Sequence, residues 1–382
     1  MKAADFDHTT DESAAGRRLD QHLAERFPEV SRSQWSKRID DGSVRVDGKA
    51  SSPSQKLKGG ERLTLNEPKR KTFSMSASLD GPAPRILHED AHCLVLDKPV
   101  GLTVHAGSGV RVEQTVAGWL VASGLIDPTA GEFLEEERPG IVHRLDRGTS
   151  GLMVVAKNVR ALEKLSKQFA ERTAERFYWA VVDGRMKSLF QKRPVRLDKL
   201  LHRNPAPLAL RLQENGVSTF ASRLDRDPAE RTRFRVSSEG GKRAVTHFLE
   251  VSQNERQSVV ELKLATGRTH QIRVHLSFLG FPILGDGSYG GRGHPRILLH
   301  AHLLRFDHPE TGKRLEFNAP WPEANQRWLQ AEGLASEHKR DVWEKFLSAS
   351  PKTWGQAPDH GDEDEVYEFE SDAEAEGESE SD

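Results

Sequence analysis

The apolar residues of this 382-residue chain fall in short runs, and this limits the fold more than any other feature. Leu94 to Leu96, Leu152 to Val155, Phe177 to Val182 and Val259 to Leu264 have the length and composition of buried or half-buried strands. Ala161, Leu162, Leu165 and Phe169 fit one helical face, with Leu165 and Phe169 a turn apart. Strands that do not alternate regularly with helices argue against a doubly wound sheet. They point to an α+β fold with a mixed, largely antiparallel sheet, over about residues 85–322. No run approaches the roughly 20 apolar residues that cross a bilayer, so no membrane partner is expected.

A smaller unit precedes this body, over 16–67. Leu19, Leu23 and Phe27 recur every four residues on one face of a short helix, which Pro28 closes. Ser31 and Gln34 have capping-box spacing for a second helix, with Trp35 and Ile39 on its buried side and Gly42 past its end. Val44 and Val46 alternate as in a strand, Asp47-Gly48 is a hairpin-turn dipeptide, and Leu63 and Leu65 alternate again. Residues 1–15 read as a disordered leader, 68–84 as a linker, 323–355 as a helical extension and 356–382 as an acidic disordered tail.

The net charge of −2 conceals an asymmetry. From Asp359 onward the chain holds 13 of its 58 acidic residues and no Lys or Arg, leaving 56 basic against 45 acidic groups. A body with that surplus attracts polyanions, although charge spread over a large surface has the same sum. The single cysteine, Cys93, excludes an internal disulfide framework. With no signal-peptide core at the N-terminus, a cytoplasmic location is expected.

The densest chemistry lies in GIVHRLDRGTSGLMVVAKN, residues 140–158. An acid, two arginines, two hydroxyls and two glycines occupy one loop that runs into an apolar strand. Gly148 and Gly151 allow a tight loop, and a carboxylate beside Arg144 and Arg147 is expected to stay ionised, as a nucleophile must. An Asp between two arginines is also a common structural ion pair, so the residues alone leave both readings open.

HRLDRGTSG resembles the HRLD-x-x-TSG signature of the RluA-type pseudouridine synthases at every fixed position. LDKPVGLTVHAG, RFYWAVVDG, GRTHQIRVH, GFPILGDGSYGG and LLHAHLLRFDHPETG resemble further segments of that family in the expected order, covering nearly all of 85–322. The resemblance implies a cofactor-free isomerase that turns uridine in RNA into pseudouridine. It places the catalytic aspartate at Asp146, an active-site tyrosine suited to stack on an extruded base at Tyr178, and an arginine that pairs with the aspartate at Arg273. RRLDQHLAERFPEVSRSQWSKRIDDGSVRVDGK is similar to the ribosomal-protein-S-four-type RNA-binding module. That likeness implies phosphate contacts from Arg17, Arg18, Arg32, Lys37, Arg38, Arg45 and Lys49. His143, Arg144 and Arg268 are expected to add contacts from the catalytic domain. The pairing of module and domain implies structured RNA, above all large-subunit ribosomal RNA or its assembly intermediate, as partner.

The histidines offer no ordered metal set: His270 and His275 are five apart and the others form no cluster, so no metal is expected. His105 and His143 read as loop hydrogen-bonders rather than catalytic groups. Thr149 and Ser150 do not form a G-x-S-x-G elbow. The stretch 185–224 does not align with the family; it either extends the RNA footprint or is a surface insertion. Two rival readings remain: a non-catalytic RNA-binding ribosome assembly factor, and a metal-dependent nuclease.

Overall fold

The computed structural model describes residues 7–27, 32–40, 42–65, 78–106, 109–126, 139–186, 209–212, 216–237 and 240–349. The linker's 68–77, the tail 356–382 and most of the unaligned stretch lie outside them, as do Pro28 and Ser31. The chain divides into two compact units, Met1–Phe73 and Ser74–Asp382.

In the first unit the described elements are β1 (Asp7–Thr9), α1 (Leu19–Arg26), α2 (Arg32–Asp40), β2 (Val44–Val46), β3 (Lys49–Ala50) and β4 (Arg62–Leu65). The strands form an antiparallel sheet in the order β1-β4-β2-β3. Leu19, Leu23, Trp35, Ile39, Val44 and Leu63 are all within 1% of complete burial, as the spacing predicts. Asp47 and Gly48 both have positive φ, 50° and 75°, the primed-turn geometry that suits a two-residue hairpin. The leader expectation needs correction for residues 7–15. Asp7–Thr9 pairs with β4, the Thr10 N–H donates to Glu61 O at 2.8 Å, and Ala14 is fully buried. Three strand residues are too few to show a period, so the pairing left no sequence signal.

The second unit is built on β5 (Arg85–Glu89), β6 (Cys93–Lys98), β7 (Ser150–Ala156), β8 (Glu175–Asp183), β9 (Ala209–Leu212), β10 (Ser218–Arg226), β11 (Phe234–Ser237), β12 (Lys242–Gln253), β13 (Gln257–Leu264), β14 (Leu299–Asp307) and β15 (Arg314–Asn318). Its helices are α3 (Val116–Ala122), α4 (Val159–Ala170), α5 (Gln271–Phe278), α6 (Glu323–Ala331) and α7 (Arg340–Ala349). The strand order is β11-β10-β12-β13-β8-β14-β7-β6-β5, with β15 on β14 and β9 on β10. Every pairing is antiparallel except β7 with β14. The fold is therefore α+β with a mixed, largely antiparallel sheet. Part of the unaligned stretch is sheet rather than surface insertion, since β9 pairs with β10 and buries Leu210.

Both faces of the central strands are covered, which is why they read as continuous apolar runs. Along β8, Tyr178, Ala180 and Val182 enter one core with Leu145, Ile272 and Ala301. Trp179 and Val181 point the other way, packing with Trp321 and Leu329, while Phe177 meets Trp343 and Phe346. One face thus carries the Asp146 loop and α5; the other carries the C-terminal helices.

Candidate active site

The loop 139–149 leaves the core face and enters β7. Leu145, 4% exposed, anchors it in the core, and the Thr149 N–H donates to Asp146 O at 3.0 Å. Gly151 closes the loop where β7 meets β14: its φ is +112°, and a Cβ there would lie 2.2 Å from Ala301 O. Only glycine fits so close an approach at that backbone angle. The anchoring leaves the Asp146 carboxylate 18% exposed.

The arginines beside Asp146 in sequence are not the ones that hold it. Arg144 donates from Nη1 to His105 Nε2 at 3.0 Å, and Arg147 from Nε to Gly101 O at 3.0 Å. In a tight loop, successive side chains diverge, so the expectation of flanking charge support is corrected. The charge comes from α5: Arg273 Nη1 lies 3.5 Å from Asp146 Oδ2. The rest of the guanidinium forks onto Asp286, with Nε to Oδ2 at 2.7 Å and Nη2 to Oδ1 at 2.9 Å. Arg273 also lies over the Tyr289 ring, 4.8 Å from its centroid. Burial disfavours its charge, but the Asp286 hydrogen bonds and the two carboxylates outweigh that and raise its pKa.

Gln271 ties down the turn before α5. Its Oε1 accepts from Thr266 Oγ1 at 2.7 Å and Arg268 N at 3.0 Å; its Nε2 donates to Val245 O and Thr246 Oγ1, both at 2.9 Å. His270 is left with φ +57°, and its Nε2 lies 4.0 Å from Asp146 Oδ2. Tyr178 is 4% exposed, and burial, with the Asp146 charge adding, raises its phenol pKa. Lys98 is fully buried, donating to Pro99 O and Leu102 O at 2.9 Å each. Burial pushes its pKa down to about 7, against the pull of Asp146 and Asp97.

The fold thus brings Asp146, Tyr178 and Arg273 together, with Asp286, His270, Tyr289 and Lys98 around them, which sequence reasoning did not single out. Signals were there: Asp286 and Tyr289 lie in GFPILGDGSYGG, and Lys98 opens the KPVG turn.

The other expected site residues divide. Arg144 is exposed and Arg268 half-buried, its Nε donating to Arg243 O at 3.0 Å. His143 is half-buried and hydrogen-bonds within the fold. Its Nε2 accepts from Val154 N–H at 3.0 Å, its ring stacks on Phe169 at 4.4 Å, and its Nδ1 is shut from solvent. Burial pushes its pKa down to about 3. In the first unit, Arg17 pairs with Glu25, and Arg45 and Lys49 are exposed. Arg38 lies 5.1 Å over the Trp35 ring. Arg18 and Arg32 both reach the buried Asp20 at 3.0 Å, and the Lys37 side chain lies outside the description.

The fold also gathers histidines that looked scattered. Glu261 Oε1 lies 2.6 Å from His338 Nδ1 and 2.9 Å from His302 Nε2, while its Oε2 accepts from Trp343 Nε1 at 2.7 Å and Lys339 N at 3.2 Å. Asp90 Oδ2 lies 2.8 Å from His88 Nε2 and 2.9 Å from His308 Nε2, with Cys93 nearby. Such separations are hydrogen-bond distances; ligands on one tetrahedral ion stand about 3.3 Å apart for bonds of about 2.0 Å. Both sets are carboxylates shared between elements.

Residues 92–278 match the RNA pseudouridylate synthase family and residues 17–63 the S4 domain. The chain is 37% identical over 337 residues to ribosomal large subunit pseudouridine synthase D of Xanthomonas campestris, covering 84% of this chain and 90% of that one. It is 35% identical over 324 residues to the uncharacterized RNA pseudouridine synthase YlyB of Bacillus subtilis, covering 83% and 95%. Among solved structures, human RNA pseudouridylate synthase domain containing 1 is 22% identical, with a TM-score of 0.47 over 70% of this chain and 96% of that one. With this site geometry on this sheet and these relatives, the chain belongs to the RNA pseudouridylate synthase family and carries an S4 domain ahead of its isomerase domain.

Proposed function

We propose that the chain isomerises uridines of large-subunit ribosomal RNA in the cytoplasm, with Asp146 as the catalytic carboxylate and no cofactor. The observation that carries this reading is the Asp146 carboxylate held at the edge of a buried cluster, 3.5 Å from a guanidinium that Asp286 fixes in place. The large-subunit assignment draws on relatives bearing that name, and the S4 domain supplies an RNA-binding surface.

The reaction is internally balanced. The bond from ribose C1′ to uracil N1 breaks, the base turns, C1′ bonds to C5, the C5 hydrogen leaves to water and N1 takes up a proton. Asp146 works at the ribose and needs an ionised oxygen there. Arg273, with a planar fork, fixes orientation as well as charge. The target base leaves its stack at a cost of about a few kcal/mol, and the Tyr178 ring stacks against it. Arg17, Arg18, Arg32, Lys37, Arg38, Arg45 and Lys49, with Arg144 and Arg268, hold RNA phosphates, which position the substrate without reading its sequence.

Tritium release from large-subunit ribosomal RNA labelled at uridine C5 tests the reading directly. Release by the native chain, and none by Asp146→Asn, is expected. Equal release by the variant removes Asp146 from the chemistry; RNA binding without release by the native chain makes it a binding factor.

A further inference from the structure

We infer that His270 is a positioning residue for Asp146, and that the Tyr289 hydroxyl sets which ring nitrogen carries its proton. The inference rests on the proposed role of Asp146.

Three observations carry it. The first is backbone: His270 is one of three residues other than glycine among the described ones with positive φ, and it stands at the N-terminus of α5 with φ +57° and ψ 16°. N-terminal caps ordinarily take extended backbone, and a left-handed residue there persists only where surrounding structure dictates it. Gln271 supplies that structure through its four hydrogen bonds to either side of the turn. The result is an imidazole brought to Asp146, with Nε2 4.0 Å from Oδ2.

The second is the proton count on the far side of the ring. His270 Nδ1 lies 2.9 Å from the Tyr289 hydroxyl oxygen. That oxygen already accepts the Phe234 N–H at 2.9 Å. Tyr289 is 5% exposed, and its own O–H proton needs an acceptor. His270 Nδ1 is the partner at hand. An Nδ1 that accepts leaves the neutral ring protonated at Nε2, so the nitrogen facing Asp146 is a donor. Burial lowers the His270 pKa, which keeps the neutral ring in use at neutral pH.

The third is the gap itself. At 4.0 Å the Nε2–H and the carboxylate are one water, or one small rotation, from a hydrogen bond. Arg273 approaches the same oxygen from α5 at 3.5 Å. Two donors from the same helix start thus face Oδ2, Arg273 the nearer of them. Phe234 N–H and Tyr289 O–H form a directed chain into His270, whose Nε2 stands 4.0 Å from Asp146 Oδ2.

Four variants test this on the full chain, using tritium release under saturating and limiting RNA. In His270→Asn the residue still tolerates positive φ, and its short amide faces Tyr289 but cannot reach Asp146. We expect kcat to fall roughly tenfold or more with KM within about twofold, the mark of lost orientation rather than lost binding. In His270→Gln the longer amide restores a donor near the Nε2 position, and kcat should return to within about threefold of native. Tyr289→Phe should lower kcat several-fold in the native background and have no added effect in the His270→Asn background, because both act through one chain. The fourth, Asp146→Asn, is the control: if it stays active, the proposed function fails and the positioning role of His270 falls with it. If Asp146→Asn is dead while His270→Asn keeps native kcat, or changes KM alone, the positioning role is wrong. Additive losses from His270→Asn and Tyr289→Phe overturn the tautomer assignment.

Discussion

Arg273 turns only one edge of its guanidinium to Asp146, at 3.5 Å, and gives the other two nitrogens to Asp286 at 2.7 and 2.9 Å. The carboxylate that takes most of the arginine is thus the one without a place in the proposed chemistry. Asp286 is 1% exposed, so it can only be a brace.

Removing that brace should be felt twice. Asp286→Ala leaves a buried guanidinium with two of its three nitrogens stripped of their carboxylate, and loss of one partner from a buried pair is worth about 3–5 kcal/mol of stability. Unfolding in urea measures that loss. Asp286→Asn keeps the shape and one acceptor, so it should stay folded and lose about tenfold or more in kcat as Arg273 loosens. Native kcat in the folded Asn variant would show that Arg273 does not need its brace.

Gly151 should tolerate no side chain. Gly151→Ala would place Cβ 2.2 Å from Ala301 O at a φ of +112°. Forcing β7 from β14 should cost at least about 1–3 kcal/mol, the range for overpacked interiors, with strain added. Gly148→Ala meets instead the end of the Ile297 side chain at 2.7 Å, which can move. Thermal melting of the two variants should rank Gly151→Ala well below Gly148→Ala.

How much of this was legible depends on reach along the chain. The helices of the first unit follow from Leu19, Leu23, Trp35 and Ile39, all within a few turns of one another. Asp146 and Arg273 were found through motifs. The contacts around them were not: Arg144 and Arg147 were nearest in sequence, yet they turn to His105 and Gly101. Asp286 and Tyr289 reach the site only because a turn after α5 folds back over it. Glu261 and His338 stand 77 residues apart, and no periodicity links residues on a strand to those before a distant helix.

That Glu261 cluster should make the C-terminal helix acid-sensitive. Burial disfavours the Glu261 charge, but hydrogen bonds from His302 and His338 overcome it and hold the carboxyl down to about 2, against 4.5 ordinarily. A carboxyl lowered on folding stabilises above its unfolded pKa, and that contribution fades as pH falls toward the folded value. The window runs from about pH 4.5 down to about pH 2, with up to about 3 kcal/mol at stake. Glu261→Gln should therefore be less stable than native near neutrality and approach it below about pH 3. A gap between the two that stays constant through acid titration would contradict this.

Arg18 and Arg32 should act together on RNA through the carboxylate they share. Asp20, 2% exposed, holds both at 3.0 Å, and the Arg18 hydrogen bonds lead in lowering its pKa. If each arginine meets one phosphate, Arg18→Ala and Arg32→Ala should each reduce the salt slope of RNA affinity by about 0.7–0.9. Asp20→Ala removes the carboxylate that orients both side chains but neither cation, so it should weaken binding with the slope nearly kept. Filter binding across a salt series separates these outcomes.

The alternation along β8 ties the two ends of the molecule's work together. Tyr178 and Trp179 are neighbours in sequence, yet one enters the core with Leu145 and Ile272 and the other lies against His302 and Trp321. A shift of pairing by a single residue would exchange them, sending an indole into the core beside Leu145 and a phenol toward the terminal helices. Inside this strand an inserted or deleted codon would therefore disturb the core beside Leu145 and the packing of the C-terminal helices in one stroke.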